Sequence, residues 1–560
     1  MKLKTDNPLL MMFMACVVSV ACADAALQKP EDDTITISVS SRPYRGLSDE
    51  GTETDISGVG HEGYAEAEAS VFLPVVMDFS RVGYHWGEEV PVSCPAGTIL
   101  YPADGDRTSD IQNAIDKTDA GHAVLLKEGT YEVGGQIVMK TGVVLRGEGA
   151  DRTVILAMGT SRYVDPDASK PVDRTLITIG DAVRDNASFR ASRYSDPSSE
   201  IIEDAAAGQF YVRVQEPDRF KAGDDVAVYR PGSAAWLNAL KMDAITQNAS
   251  GSVIQWTEDE YAYMYDLYWS RKVVRVSGDK IWLDNPLAME LNDDYGTSRG
   301  RLYTEKLDRV AECGIEELCL RSQYDAGETD FERNLIDEDH CWSAIDVNAA
   351  EHCWIRNVTA QHFGFCMVNL RLGARYITVS DCRSEAPVST VTGSRRYAFH
   401  NYKGELSLFT GCTAEQDRHG CVTGVRTAGP NVFHRCTMTD ALSDMGPHQR
   451  WATGVLYDSC VTDGLLGVQD RGNWGTGQGW AGVNFLLWNC EAASMTVQSP
   501  WTSGKNWAIG CIGTKVPGKE DGRPDGEWLS HGIHVAPASL YEHQLADRLN
   551  NGNQLSKLLK

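Results

Sequence analysis

Between residues 96 and 180 apolar residues fall in short runs, AVLL, TYEV, QIVM and VVLRG, rich in β-branched residues and separated by glycine. Such runs predict strands of four or five residues joined by tight bends. Ahead of them, Thr108 or Ser109 can cap a short helix that places Ile111, Ala114 and Ile115 on one face. The rhythm breaks over 181–305, where FYVRVQEPDRFKAGDDVAVYRP and RKVVRVSGDKIWLDNPL alternate as antiparallel hairpins do. That stretch reads as an inserted β-rich subdomain. From Cys313 the short strands return. HCWIRNV, YITVSDC, LSLFTGC, NVFHRC, VLYDSC, LLWNC and WAIGC end at Val358, Cys382, Cys412, Cys436, Cys460, Cys490 and Cys511, in steps of 24, 30, 24, 24, 30 and 21 residues. One short strand and one bend, recurring at this period, predict a solenoid of stacked β-coils. The cysteines then form an inward column of reduced, small apolar side chains. No C-x-x-C pair accompanies them to suggest a metal.

The cysteine ladder also works as a ruler. Twelve residues before each rung stand Asp346, Leu370, His400, Gly424, His448, Gln478 and Ser499; ten before stand Asn348, Leu372, Tyr402, Arg426, Arg450, Trp480 and Trp501. Residues two apart on a strand share a face, and the intervening Val347, Phe399 and Val425 suit the interior. Both columns are therefore expected to face outward. The coil with Leu370 and Leu372 breaks the pattern, and a one-residue slip there puts Asn369 and Arg371 outward instead. In this register His400 and His448 are about 10 Å apart across Gly424, two interstrand spacings, and Arg426 and Arg450 are adjacent. The ladder thus assembles His400, Tyr402, Arg426, His448 and Arg450 as candidate catalytic groups. Asn348, Arg371, Lys403, Arg418, His419, Gln478, Trp480 and Trp501 are candidates for substrate binding. Simpler roles compete: Arg418 can pair with Asp417 or Glu415, the tryptophans can be core, and His434 and Arg435 read as structural.

Charge sharpens this. The 560 residues carry a net charge of −26, which argues against a nucleic-acid partner. Residues 350–515, however, hold 14 Lys/Arg and 12 Asp/Glu, so the candidate strip sits in a nearly neutral region fit for an anion. At the N-terminus Lys2 and Lys4 precede an apolar run, Leu9 to Ala21, too short to span a membrane and followed by A-x-A sites. Residues 1–26 are expected to be an export signal, with Ser19-Val20-Ala21-Cys22 a weak lipoprotein box that could tether the chain through a lipidated Cys22. An extracytoplasmic monomer is expected: secreted, periplasmic or on the outer membrane. Residues 27–95 read as an irregular extension, 96–180 as the first coils, 306–515 as the main β-helix, and 516–560 as a tail. In the tail, ASLYEHQLADRL predicts an amphipathic helix covering the last coil.

The stretch from Asp104 to Ile155, with its short helix and then EGTY and VVLRGEG, resembles the opening of the pectate-lyase-like right-handed parallel β-helices. The resemblance implies an all-β solenoid whose first coil is capped by the short helix, and it directs attention to polysaccharides. Tryptophan faces stack on sugar rings, and arginine forks match carboxylate or sulfate oxygens. The expected function is a polysaccharide lyase cleaving an acidic, uronate-containing polymer by β-elimination. Arginines would neutralise the carboxylate, with histidine or tyrosine as base and acid. A glycoside hydrolase would need two carboxylates at 5–5.5 or 6.5–9.5 Å. Asp440, Asp444, Asp458, Asp463 and Asp470 are available, but none falls in the outward columns. Nor does the chain carry the N-T-D and D-D signature of the β-helix polygalacturonases. A non-catalytic carbohydrate-binding β-helix is the third reading. Relatives of this fold often hold calcium, but no compact acidic cluster marks the strip, so no cofactor is expected.

Overall fold

The computed structural model describes residues 77–558 except 92, 161, 164–171, 184–186, 253–264, 332 and 553. The export signal, Cys22 and most of the 27–95 extension lie outside the described residues. The rest is the right-handed parallel β-helix that the resemblance implies, the handedness that parallel crossovers adopt.

Each full coil carries three short strands, one on each wall. One such coil is Thr378–Ser380, Arg383–Glu385 and Tyr397–Asn401; the next is Leu408–Thr410, Thr413–Glu415 and His419–Thr423. Pairing on the second wall follows the cysteine ladder residue for residue: Thr359 with Arg383, then Thr413, Thr437, Val461, Glu491 and Ile512. Every rung is buried, and every cysteine among the described residues is a free thiol. The residue before each rung explains the column. Asn357, Asp381, Gly411, Arg435, Ser459, Asn489 and Gly510 all have φ between 50° and 67°, a left-handed kink that turns the chain from the first wall to the second. The next side chain then points into the corner, where only a small group fits. There the thiols reach backbone carbonyls of the preceding coil: Cys412 to Val379 at 3.5 Å, Cys460 to Phe433 at 3.3 Å, Cys490 to Tyr457 at 3.2 Å. An aromatic stack of Phe409, Phe433 and Tyr457 fills the space beside them.

The N-terminal helix, Thr108–Lys117, buries Ile111, Ala114 and Ile115 as expected. Its first turn is held by neither Thr108 nor Ser109; Asp106 Oδ1 accepts from Thr108 N at 2.9 Å. The insertion forms a six-stranded antiparallel sheet, joining strands from Tyr194–Glu200 to Arg301–Glu305. It lies against the solenoid through Trp236, Trp269, Trp451, Trp480 and Trp488 and through buried ion pairs. Arg375 of the solenoid pairs with Asp225 at 2.6 Å and Glu305 at 3.4 Å, both of the insertion, and Ser270 N donates to Glu405 of the solenoid at 2.7 Å. The C-terminal helix, Leu540–Asn550, is capped by Ser539 Oγ, which accepts from Glu542 N. It lies along the flank. Tyr541 N and Ser539 Oγ both donate to Asp458, and Arg548 clasps the segment near residue 80, donating to Ser80 O at 2.9 Å and Trp86 O at 2.7 Å.

Candidate active site

The third wall carries the candidate residues, and here the register departs from the ruler. Asp346 pairs with Asn369, Asn369 with His400, His400 with Val422, and Val422 with Gly446. The one-residue slip at Asn369 is therefore adopted. A further two-residue slip puts Val422, not Gly424, beside His400. Strand alternation gives the outer face Asp346 and Asn348, then Asn369 and Arg371, then His400 and Tyr402, then Asp444, Gly446 and His448. The core-facing partners Ile345, Val347, Val368, Leu370 and Phe399 are fully buried.

His400, Tyr402 and His448 come together, though not as a simple stack. The His400 and Tyr402 rings are 5.4 Å apart. Tyr397, at the entrance of the same strand, lies 5.2 Å from His400, 4.7 Å from His419 and 5.3 Å from His448, centroid to centroid. His419 and His448 are 4.5 Å apart. The expected open strip is a nearly closed cluster: His400 is 7% and His448 9% exposed. Arg371 stands at its edge, 44% exposed at the side chain, 2.9 Å from Asp346. The ladder ends at Leu370 opposite Asn401, one residue before Arg371 and Tyr402, and Arg371 is near enough to His400 for its charge to lower the imidazole pKa.

The hydrogen bonds fix the protonation of this cluster. Arg471 is paired with Asp444 and donates from Nε to Gln478 Oε1 at 2.7 Å. The Gln478 amide nitrogen therefore faces His448 Nε2, 2.9 Å away, and must donate to it. His448 is thus neutral, with its proton on Nδ1, and the Tyr397 hydroxyl lies 3.0 Å from the same Nε2. His419 Nδ1 donates to Asp444 O at 2.8 Å, leaving Nε2 as a bare acceptor. Burial, then the neighbouring His419 and Arg371, push His400 down to about 3. Burial is also the main cause that pushes His419 to about 4 and His448 well below the usual imidazole range. His400 Nδ1, His419 Nε2, His448 Nδ1, Asn369 Oδ1, Asp346 Oδ1 and Asn348 Nδ2 are buried and meet no hydrogen-bond partner among the described residues. Buried polar groups are normally paired, and clustered exceptions mark a place built for something else.

Other expected residues lie elsewhere. Arg426 and Arg450 sit in left-handed turns past the wall, with φ of 52° and 49°. Arg426 donates to Asp266 O of the insertion at 3.2 Å, and Arg450 to Thr476 O at 2.8 Å. They border the insertion, not the imidazoles. Lys403 and Arg426 line a cavity there. Trp480 is wholly buried and donates to Leu240 O at 3.1 Å, so it is a core residue where the insertion docks, not a sugar platform. Trp501 packs edge-on against it beneath Lys241. Arg418 donates to Thr392 O at 2.8 Å and lies 6.0 Å from the Tyr397 ring, its expected pairing with Asp417 or Glu415 replaced by loop carbonyls. Tyr397, Asp444 and Arg471 were not among the expected site residues; Asp444 does share the outer face. The acids of this face, Asp346 and Asp444, are each tied to an arginine on different coils and do not fit a calcium cage.

The fold and site together define a parallel β-helix with a buried imidazole–phenol cluster on one outer wall. No protein-family model matches the chain, and no curated protein matches it. Among solved structures it is similar to the tailspike protein gp49 from Pseudomonas phage LKA1, at 12% identity over 77% of this chain and 72% of that one, with a TM-score of 0.36. It is also similar to the polygalacturonase from Erwinia carotovora ssp. carotovora (9% identity, 80% of this chain, 98% of that one, TM-score 0.35). The Streptococcus pneumoniae surface protein and adhesin PfbA is a third (10%, 78%, 87%, TM-score 0.36). Likenesses this distant carry no conclusion about chemistry, which rests on the side chains.

Proposed function

We propose that this chain is an extracytoplasmic lyase that cleaves an acidic, uronate-containing polysaccharide by β-elimination. The observation that carries the reading is the Asn369–His400 register, which brings Arg371, His400 and Tyr402 into one patch. Arg371 binds the uronate carboxylate and lowers the charge that builds up when the adjacent carbon loses its proton. His400, uncharged at neutral pH, takes that proton. The electron pair forms a carbon–carbon double bond as the glycosidic C–O bond breaks, and Tyr402 protonates the departing oxygen. The arriving carboxylate raises the proton affinity of His400 at the moment it acts. His448, His419 and Tyr397 position the cluster through the Asp444–Arg471–Gln478 chain. The two acids of this outer face do not suit a paired-carboxylate hydrolysis, since Asp346 and Asp444 are separated by four ladder steps, about 19 Å. Among the described residues no helix is long and apolar enough to cross a membrane.

The test is incubation with a panel of uronate polysaccharides, following absorbance of the unsaturated uronate alongside reducing ends. β-Elimination produces both signals, hydrolysis only the second, and a binding protein neither. Tyr402→Phe should lower turnover about 10²- to 10⁴-fold with thermal unfolding unchanged. Wild-type turnover in Tyr402→Phe would remove the phenol from the reaction.

A further inference from the structure

Two cysteines stand apart from the ladder. Cys313 and Cys353 each follow a left-handed residue, Glu312 at φ 55° and His352 at φ 50°, at the corner that leads into the first wall. Gly314 pairs with Val144 on one side and Trp354 on the other, and Trp354 pairs with Thr378. The corner column therefore runs Val143, Cys313, Cys353, Ile377, and all four are fully buried. In the long ladder each sulfur from Cys412 to Cys490 has a cysteine on the coil before and on the coil after. Here each sulfur has one sulfur neighbour and an apolar side chain behind it. The two Sγ atoms are 3.4 Å apart. Their Cα atoms are one ladder step apart, about 4.8 Å, inside the roughly 4.4–6.8 Å that a disulfide spans. The bond can thus close without the backbone movement that a wider pair would need. Cys353 also reaches Glu351 O at 3.2 Å, a weak thiol contact that the bond would give up.

The pair marks the place where the chain rejoins the solenoid. The last strand of the insertion ends at Glu305, and Gly314–Ser322 is the first long solenoid strand after it. A link there closes a loop whose ends are 40 residues apart and which contains Ser343–Val347, the third-wall strand bearing Asp346. We propose that Cys313 and Cys353 are a disulfide site, a covalent staple between two coils where the insertion returns. The oxidant is a small disulfide of the glutathione type, RSSR. One cysteine thiolate attacks it and forms a mixed disulfide, releasing RSH; the second thiolate displaces the second RSH as the Cys313–Cys353 bond forms. The two thiol protons end on the two released RSH molecules. Both sulfurs are sealed in the finished fold, so the exchange takes place while the coil of Cys353 is still the open end of the solenoid, before Ile377 covers it. Kept under reductant, the chain retains both thiols.

The full chain is made by cell-free synthesis in a buffer of oxidised and reduced glutathione, with a second batch under dithiothreitol. Soluble product is unfolded in urea with iodoacetamide, digested with trypsin without reduction and sequenced by mass spectrometry. The oxidised batch should contain the Cys313 and Cys353 peptides joined and lighter by two hydrogens, with the six ladder cysteines alkylated. Cys319 and Cys341 fall on the same tryptic peptides, so Cys319→Ser and Cys341→Ser should keep the link and Cys353→Ser should lose it. If Cys353→Ser fails to fold, fragment ions of the wild-type pair place the bond by themselves. The oxidised batch should also unfold at a higher urea midpoint than the reduced one. Alkylated Cys313 and Cys353 in the oxidised batch would overturn the proposal, as would a link from either of them to another cysteine. Equal urea midpoints in the two batches would remove the stapling role.

Discussion

The buried imidazoles make acid stability a direct readout of the cluster. His400 is held near 3, mainly by burial, against 6.5 for an exposed imidazole. Below pH 6.5 the unfolded chain takes up a proton that the folded chain refuses. Stability therefore falls as pH drops from 6.5, and this loss levels off only near pH 3. In that window each refused proton costs about 1.4 kcal/mol per pH unit. Other groups titrate there as well: His419 and His352, both near 4, add to the slope. Asp417, pushed up to about 7 by burial, opposes it, because its folded form holds a proton that the unfolded chain has released. A single variant isolates one contribution. His400→Gln should flatten the dependence of unfolding free energy on pH by about 1.4 kcal/mol per unit, roughly 2 kcal/mol between pH 6 and 4.5. Urea titrations of wild type and variant at four pH values in that range measure it. Parallel slopes would show that His400 titrates normally and is no neutral base.

Two further outcomes follow from the packing. Under native conditions a thiol reagent should modify Cys94, the one half-exposed cysteine among the described residues, and spare the twelve buried ones until denaturant is added; mass spectrometry of labelled peptides checks this. Arg548→Ala removes the cation paired with the buried Glu88 carboxylate, which keeps neutral donors such as Leu555 N, and should cost about 3 kcal/mol. Its first symptom should be protease cleavage between residues 77 and 90.

Much of the fold is legible in the cysteine spacing because each rung follows a left-handed corner, and a corner tolerates only a small inward side chain. That rule is local, so the steps of 24, 30, 24, 24, 30 and 21 reproduce the pairing on the second wall. The third wall is not legible in the same way. His400 stands 12 residues before its rung, but its neighbours Val422 and Gly446 stand 14 before theirs, since the turn after the third wall varies in length. Counting through that turn carried Arg426 and Arg450 into the site and displaced Arg371, which the one-residue slip had kept in view. Trp480 was placed outside because nothing in its own strand signals that a subdomain inserted some 200 residues earlier will cover it. Arg471 reaches the cluster from a loop, where no periodicity applies. Asp444 was set aside by the same miscount, although it shares a face with His448.

The clasp around Ser80 joins that segment to the helix Leu540–Asn550, across 468 residues of sequence. Coils can stack one upon another as the polypeptide emerges, each using the one before as a template. The strap near residue 80 docks in two stages, first on residues 284–406 through Arg81, Gly83, Tyr84 and Trp86 and last on the helix that carries Arg548. Loss of the helix that carries Arg548 is therefore felt near residue 80, and a chain stopped before it would leave Ser80 and Trp86 without that clasp and open to proteases.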